Sequence, residues 1–237
     1  MQLTVKIKRF NPEKDTAPHW QTFQVDAEAM DTALEVLLKI KWYQDGTLTF
    51  RKSCAHGICG SDAMQINGEN KLACATLVQD LASKDGDEIR YEPLPGSPVV
   101  KDLVIDQTAF FEKYRAVMPY LVNGNPPPEH ERLQSPEDHE IIEDATKCIM
   151  CGACTHACPS TWADPVYLGP AAMLKAYRYT FDTRDEGGSD RLRVVDSSEG
   201  LWKCYTIFNC VQACPKEIDI TRWLSALKRR AVLEKLG

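Results

Sequence analysis

Apolar and polar residues alternate from the start of the chain. Leu3, Val5 and Ile7 interleave with Thr4, Lys6 and Lys8, the period-two pattern of a half-buried strand. Short segments of similar character at residues 21–25, 47–51, 63–67 and 88–92 predict further strands. Leu34, Leu37 and Leu38 recur at helical spacing instead, which predicts one helix packed on the strands, with Asp31 as its N-cap. From Asp106 the pattern changes. Phe110, Phe111, Tyr114 and Val117 predict a helix ending near Pro119, and Asn123-Gly124-Asn125-Pro126-Pro127-Pro128 is a loop signal. The remainder reads as mainly helical. Its last helix carries Ile220, Trp223, Leu224, Leu227 and Ala231 on one face and Lys228, Arg229 and Arg230 elsewhere. That is the pattern of a packed surface helix, with contact to a partner or a membrane surface as the alternative. The change of pattern places a domain boundary near residue 105 and predicts domains over 1–105 and 106–237.

A chain of 237 residues has room for two modest domains. Its net charge of -6 argues against nucleic acid as a partner. No apolar run reaches the roughly 18 residues that span a bilayer, and the N-terminus lacks a signal-peptide layout. The expectation is a reducing cytosolic setting. Ten cysteines there need a reason other than disulfides. Zinc is the rival explanation, because paired cysteines two residues apart also bind zinc.

The spacing favours iron–sulfur clusters. Lys147 to Pro159 reads KCIMCGACTHACP, with cysteines in the C-x2-C-x2-C-x3-C-P frame of bacterial ferredoxins. Lys203 to Pro215 reads KCYTIFNCVQACP, the same frame with Ile207 in place of the second cysteine. In two-cluster ferredoxins the fourth cysteine of each run ligates the other run's cluster. Cys148, Cys151, Cys154 and Cys214 then hold a [4Fe–4S] cluster. Cys158, Cys204 and Cys210 are three thiolates, which fits [3Fe–4S] with Ile207 at the vacant corner.

A third pattern lies upstream, SCAHGICGSDAMQINGENKLAC from Ser53 to Cys74. It follows the plant-type [2Fe–2S] layout, with Cys54, Cys59 and Cys74 in three of the four ligand places. Asp62 occupies the remaining one. The other seven cysteines are already assigned downstream, so Asp62 is the expected fourth ligand, with Ser61 or water as alternatives. Gly57 and Gly60 suit a loop wrapped closely around a cluster. The predicted fold class is α+β: an N-terminal β-grasp, plant-type [2Fe–2S] ferredoxin domain followed by a mainly helical, bacterial-type ferredoxin domain.

With RKSCAHGICGSDAM, CIMCGACTHACPS, LGPAAM and the Asp182–Arg184–Asp185 stretch, the order of the three motifs resembles the iron–sulfur subunits of succinate dehydrogenase and of its relative fumarate reductase. The resemblance covers essentially the whole chain. It implies an electron-transfer subunit of succinate dehydrogenase, serving the tricarboxylic acid cycle and the respiratory chain. FAD sits on a partner flavoprotein, and succinate is oxidised there. Electrons then pass through [2Fe–2S], [4Fe–4S] and [3Fe–4S] to quinone beside cytochrome b-type membrane anchor subunits. It also implies a peripheral position on the cytoplasmic face of a prokaryotic inner membrane. By position, Pro159, Ser160, Trp162, Tyr205 and Ile207 correspond to the quinone pocket. Trp162-Ala163 and Tyr205 depart from the paired tryptophans and the histidine of many ubiquinone-reducing members, so menaquinone remains open. The chain itself lacks a G-x-G-x-x-G dinucleotide fingerprint and a nucleophile constellation, and its histidines (His19, His56, His130, His139, His156) are scattered. The alternatives are a fumarate reductase subunit, a free-standing multi-cluster ferredoxin, and an iron–sulfur subunit of another dehydrogenase.

Overall fold

The computed structural model describes residues 1–236. In chain order its strands are β1 (Gln2–Arg9), β2 (His19–Asp26), β3 (Ala63–Ile66), β4 (Glu69–Leu72), β5 (Glu88–Glu92), β6 (Val99–Lys101) and β7 (Val104–Ile105). Its α-helices are α1 (Ala33–Tyr43), α2 (Thr108–Ala116), α3 (Pro136–Thr146), α4 (Ala153–His156), α5 (Pro159–Ala163), α6 (Gly169–Thr180), α7 (Gly188–Val195), α8 (Asn209–Gln212) and α9 (Ile220–Leu236). The chain divides into two compact units. The first is Met1–Gln107 together with Ile149–His156; the second is Thr108–Cys148 together with Ala157 onward.

In the first unit a five-stranded sheet has the order β2-β1-β5-β3-β4. β1 and β5 pair in parallel, and the other neighbours are antiparallel. Leu3, Val5 and Ile7 are fully buried on one face of β1 and share a core with Leu34, Leu37 and Ile40 of α1. Each such side chain contributes about 1.5–3 kcal/mol of transfer free energy. The helix begins one residue later than predicted. Thr32 is the N-cap, in a reciprocal capping box with Glu35. Asp31 instead accepts from Lys39 Nζ at 2.6 Å and from the Glu28 N–H at 2.9 Å.

Two segments differ from the sequence expectation for identifiable reasons. Residues 47–51 form no strand, because side chains take their backbone groups. The Thr47 N–H donates to Asp45 Oδ1 at 2.9 Å and the Thr49 N–H to Asp102 Oδ2 at 2.8 Å. The same two aspartates hold the buried Arg9 guanidinium at 2.7 and 2.9 Å. Conversely, β4 forms where no strand is predicted. Asn67 and Gly68, with φ of 50° and 85°, make a two-residue hairpin turn between β3 and β4. The polar Asn70 within β4 is buried because its side-chain amide donates to the Ala153 carbonyl at 3.1 Å.

The second unit is built around α6, whose Ala171, Ala172, Met173, Leu174, Ala176 and Tyr177 are buried. α9 buries Ile220, Leu224, Leu227 and Ala231, the predicted apolar face, and Trp223 stacks on Tyr177 at 4.8 Å between centroids. Two aspartates fasten the connection after α6. Asp182 accepts from Arg178 at 2.6 Å and from Arg184 at 2.9 Å. Asp185 takes both arms of the fully buried Arg191, at 2.5 and 2.9 Å. Arg191 also donates to the carbonyls of Met118 and Tyr120, at 2.9 and 2.7 Å. Among the described residues no helix is long and apolar enough to cross a membrane.

Candidate metal centres

In the first unit, the loop leading into β3 turns its N–H groups toward sulfur. Cys54 Sγ accepts from the N–H groups of Cys59 at 3.2 Å, Ile58 at 3.4 Å and His56 at 3.5 Å. Those donors, His56 first, bring the Cys54 thiol down to about 6. Cys59 Sγ accepts from the Cys54 N–H at 3.5 Å and lies 3.1 Å from Ser61 Oγ. Cys74 Sγ accepts from the Gly57 N–H at 3.2 Å. The loop reaches this curvature through left-handed residues: Ala55, Gly57 and Gly60 have φ of 58°, 76° and 69°. Gly60 has a steric reason as well. A Cβ there would lie 2.7 Å from Cys151 Cβ and 2.9 Å from its Cα.

Asp62 is almost completely buried beside this loop. Its Oδ2 accepts from the Cys74 N–H at 2.7 Å, while Oδ1 is buried without a hydrogen-bond partner. Burial and then the Asp62 carboxylate push the Cys74 thiol up to about 12. Hydrogen bonds thus bring Cys54, Cys59, Cys74 and Asp62 into one neighbourhood. His56 is exposed and turns Nδ1 to the Cys54 carbonyl at 2.7 Å.

The two cysteine runs share a local backbone. In the first, Met150 and Gly152 are left-handed, with φ of 55° and 83°, and α4 follows. In the second, Thr206 and Phe208 hold the equivalent places with φ of 57° and 69°, and α8 follows. Ile207 therefore lies between two left-handed residues, as Cys151 does in the first run. Each run's first cysteine also has its carbonyl engaged by a lysine ammonium, Lys175 at 3.3 Å for Cys148 and Lys228 at 2.9 Å for Cys204.

Within the second unit a cleft is lined by Cys158, Cys204 and Cys210 together with Pro159, Ser160, Tyr205 and Ile207. Trp162, half-exposed at the end of α5, is not among its lining residues. Burial, and then the neighbouring thiols of Cys158 and Cys204, raise the Cys210 thiol to about 12. Cys214 is raised chiefly by burial, with Cys148 a nearby contributor. Cys151 and Cys154 are buried in the first unit. Among the described residues no three His, Cys, Asp or Glu side chains close around a single ion position.

The comparisons with known proteins agree with this geometry. A family described as a 2Fe-2S iron-sulfur cluster binding domain matches residues 4–112, and one described as a 4Fe-4S dicluster domain matches residues 140–215. The chain is an α+β iron–sulfur protein of the electron-transfer class. It is 37% identical to the succinate dehydrogenase iron-sulfur subunit of Coxiella burnetii, covering 98% of each. It is 41% identical to the mitochondrial succinate dehydrogenase [ubiquinone] iron-sulfur subunit of Candida glabrata, covering 98% of this chain and 92% of that protein. This chain belongs to the succinate dehydrogenase iron–sulfur subunit family. A chain of the Mycobacterium smegmatis Sdh1 complex in the apo form shares its fold, with a TM-score of 0.86 at 24% identity over 100% of this chain and 98% of the other.

Proposed function

We propose that this chain relays single electrons from the FAD of a flavoprotein subunit to quinone, within a succinate:quinone oxidoreductase. The observation that carries the reading is the shared backbone of the two cysteine runs, with Ile207 standing where the first run has Cys151. Bound clusters supply one-electron carriers whose potentials depend on cluster type, charge and hydrogen bonding.

The donor sets fit those groups. Cys54, Cys59, Cys74 and Asp62 would hold [2Fe–2S]. The unpartnered Asp62 Oδ1 supports this, since a buried carboxylate oxygen without a donor is costly and iron would satisfy it. The N–H groups on Cys54 and Cys74 stabilise negative charge on those sulfurs. By spacing, Cys148, Cys151, Cys154 and Cys214 would hold [4Fe–4S]. Cys158, Cys204 and Cys210 would hold [3Fe–4S]. All three line one cleft, and a bound cluster would hold them as thiolates. Pro159, Ser160, Tyr205 and Ile207 would flank quinone at the same cleft; Trp162, outside its lining, would reach quinone only beyond it. Succinate oxidation itself falls to the flavoprotein. Cytochrome b-type anchor subunits would bind this chain peripherally at the cytoplasmic face of a prokaryotic inner membrane.

The test is an EPR spectrum of the oxidised protein, followed by stepwise reduction. A three-iron signal present at the start, lost early, and followed by signals from the other two centres is the expected result. A silent oxidised sample that retains its full iron content would overturn the assignment of Ile207 to an empty corner.

A further inference from the structure

Lys175 has no counterpart among the site residues legible in the sequence. It projects from α6 between the buried Leu174 and Ala176 and is itself half-buried. Its ammonium donates to the Cys148 carbonyl at 3.3 Å. Among the described residues no carboxylate lies within ion-pairing distance of it. The bond to the carbonyl holds the charge beside the backbone of the run's first cysteine. Lys228, from α9, makes the same contact with the first cysteine of the other run. The arrangement thus recurs in both runs, delivered by two different helices.

We propose that Lys175 is a positioning residue that raises the reduction potential of the cluster bound through Cys148. The inference rests on the assignment of [4Fe–4S] to the first run. An electron added to a thiolate-bound cluster increases its negative charge. A fixed ammonium beside a ligating residue stabilises the reduced form more than the oxidised one. The electron comes from the reductant or the preceding carrier, no bond is made or broken, and no proton is needed.

The experiment is an anaerobic EPR potentiometric titration of the intact complex carrying wild-type chain, Lys175→Met, Lys175→Gln or Lys175→Arg. Met removes both charge and donor, Gln keeps a donor, and Arg keeps the charge. The expected result is a fall of about tenfold in the one-electron reduction equilibrium for Met and Gln alike, about 59 mV. Arg should stay near wild type, and the [2Fe–2S] midpoint should move much less. Unchanged midpoints in Met and Gln would overturn the proposal. So would a shift in Met alone, which would make the contact a hydrogen bond without electrostatic reach. Loss of the cluster in both Met and Gln, with Arg intact, would make Lys175 an assembly residue and would equally overturn it. Absence of a [4Fe–4S] signal from the wild type is a different failure, that of the cluster assignment itself.

Discussion

The two cysteine runs share a local backbone pattern but carry different side chains at its centre. Both place left-handed residues two and four positions after their first cysteine, and both then enter a single helical turn. The first run puts Gly152 at the second of these positions and Cys151 before it. The second run puts Phe208 and Ile207 there. Cys151 is buried in the first unit, whereas Ile207, Phe208 and Tyr205 are exposed around the cleft. Under the proposed assignment, replacing one thiol by an isoleucine side chain on a matching backbone would change the number of irons held while leaving the other cysteines in their frame. The difference also leaves strain behind. A left-handed phenylalanine costs roughly 1–2 kcal/mol that a glycine does not incur.

Removing the crossing cysteines gives the largest expected effects. Cys158→Ser should abolish the three-iron signal and spare the four-iron one, and Cys214→Ser should do the reverse. EPR of the two variants reads this directly, and the opposite pattern would mean that each run keeps its own fourth cysteine. Ile207→Cys comes next. It should convert the terminal cluster to four irons, raising iron per chain and removing the oxidised EPR signal; an intact three-iron signal would break the equivalence with Cys151.

Smaller effects test the framework that supports both runs. Burial opposes ionisation of Asp182, but hydrogen bonds from Arg184 and Arg178 outweigh it and hold the carboxylate at about 2. A depressed carboxylate contributes stability that is complete above its ordinary range near pH 4 and is lost as pH falls through about 2. The amount is on the order of 2 kcal/mol. Acid unfolding of wild type and Asp182→Asn should therefore converge between about pH 4 and pH 2, and parallel curves would contradict the pairing. The smallest effect concerns Phe208→Gly. Relief of left-handed strain, partly offset by the flexibility of glycine in the unfolded chain, should stabilise the second unit by about 0.5–1 kcal/mol. A thermal melt should rise by a few degrees, and a fall would mean that the Phe208 ring packs usefully against the cleft.

Much of the candidate chemistry is legible in the sequence because cluster ligands must recur at fixed spacings, which side-chain packing does not disguise. The strands of the first unit are legible where alternation is clean, as in β1. β4 is hidden because its buried Asn70 satisfies its amide on the Ala153 carbonyl, far along the chain. Residues 47–51 mislead because a strand-like composition says nothing about aspartates that will claim the backbone. Asp31 and Thr32 both make credible caps, and only the reciprocal bond with Glu35 separates them. Lys175 carries no sequence signal at all. A lysine on a helix reads as solvated until the fold brings the Cys148 carbonyl to it. The left-handed Thr206 and Phe208 are equally silent, since neither residue type announces that conformation.

The assignment of Ile149–His156 to the first unit has a consequence for biosynthesis. Translation delivers residues 1–107 well before the segment that supplies the partner of Asn70 and the backbone against which Gly60 is fitted. At about 5–20 residues per second, the ribosome needs a further 2–10 s or so to reach His156. Until then Asn70 lacks its acceptor and the core lacks Cys151 and Ala153. The amino-terminal ferredoxin-like region is therefore a poor candidate for excision or domain grafting at the linker. It is a lock whose last pin is cast late in synthesis.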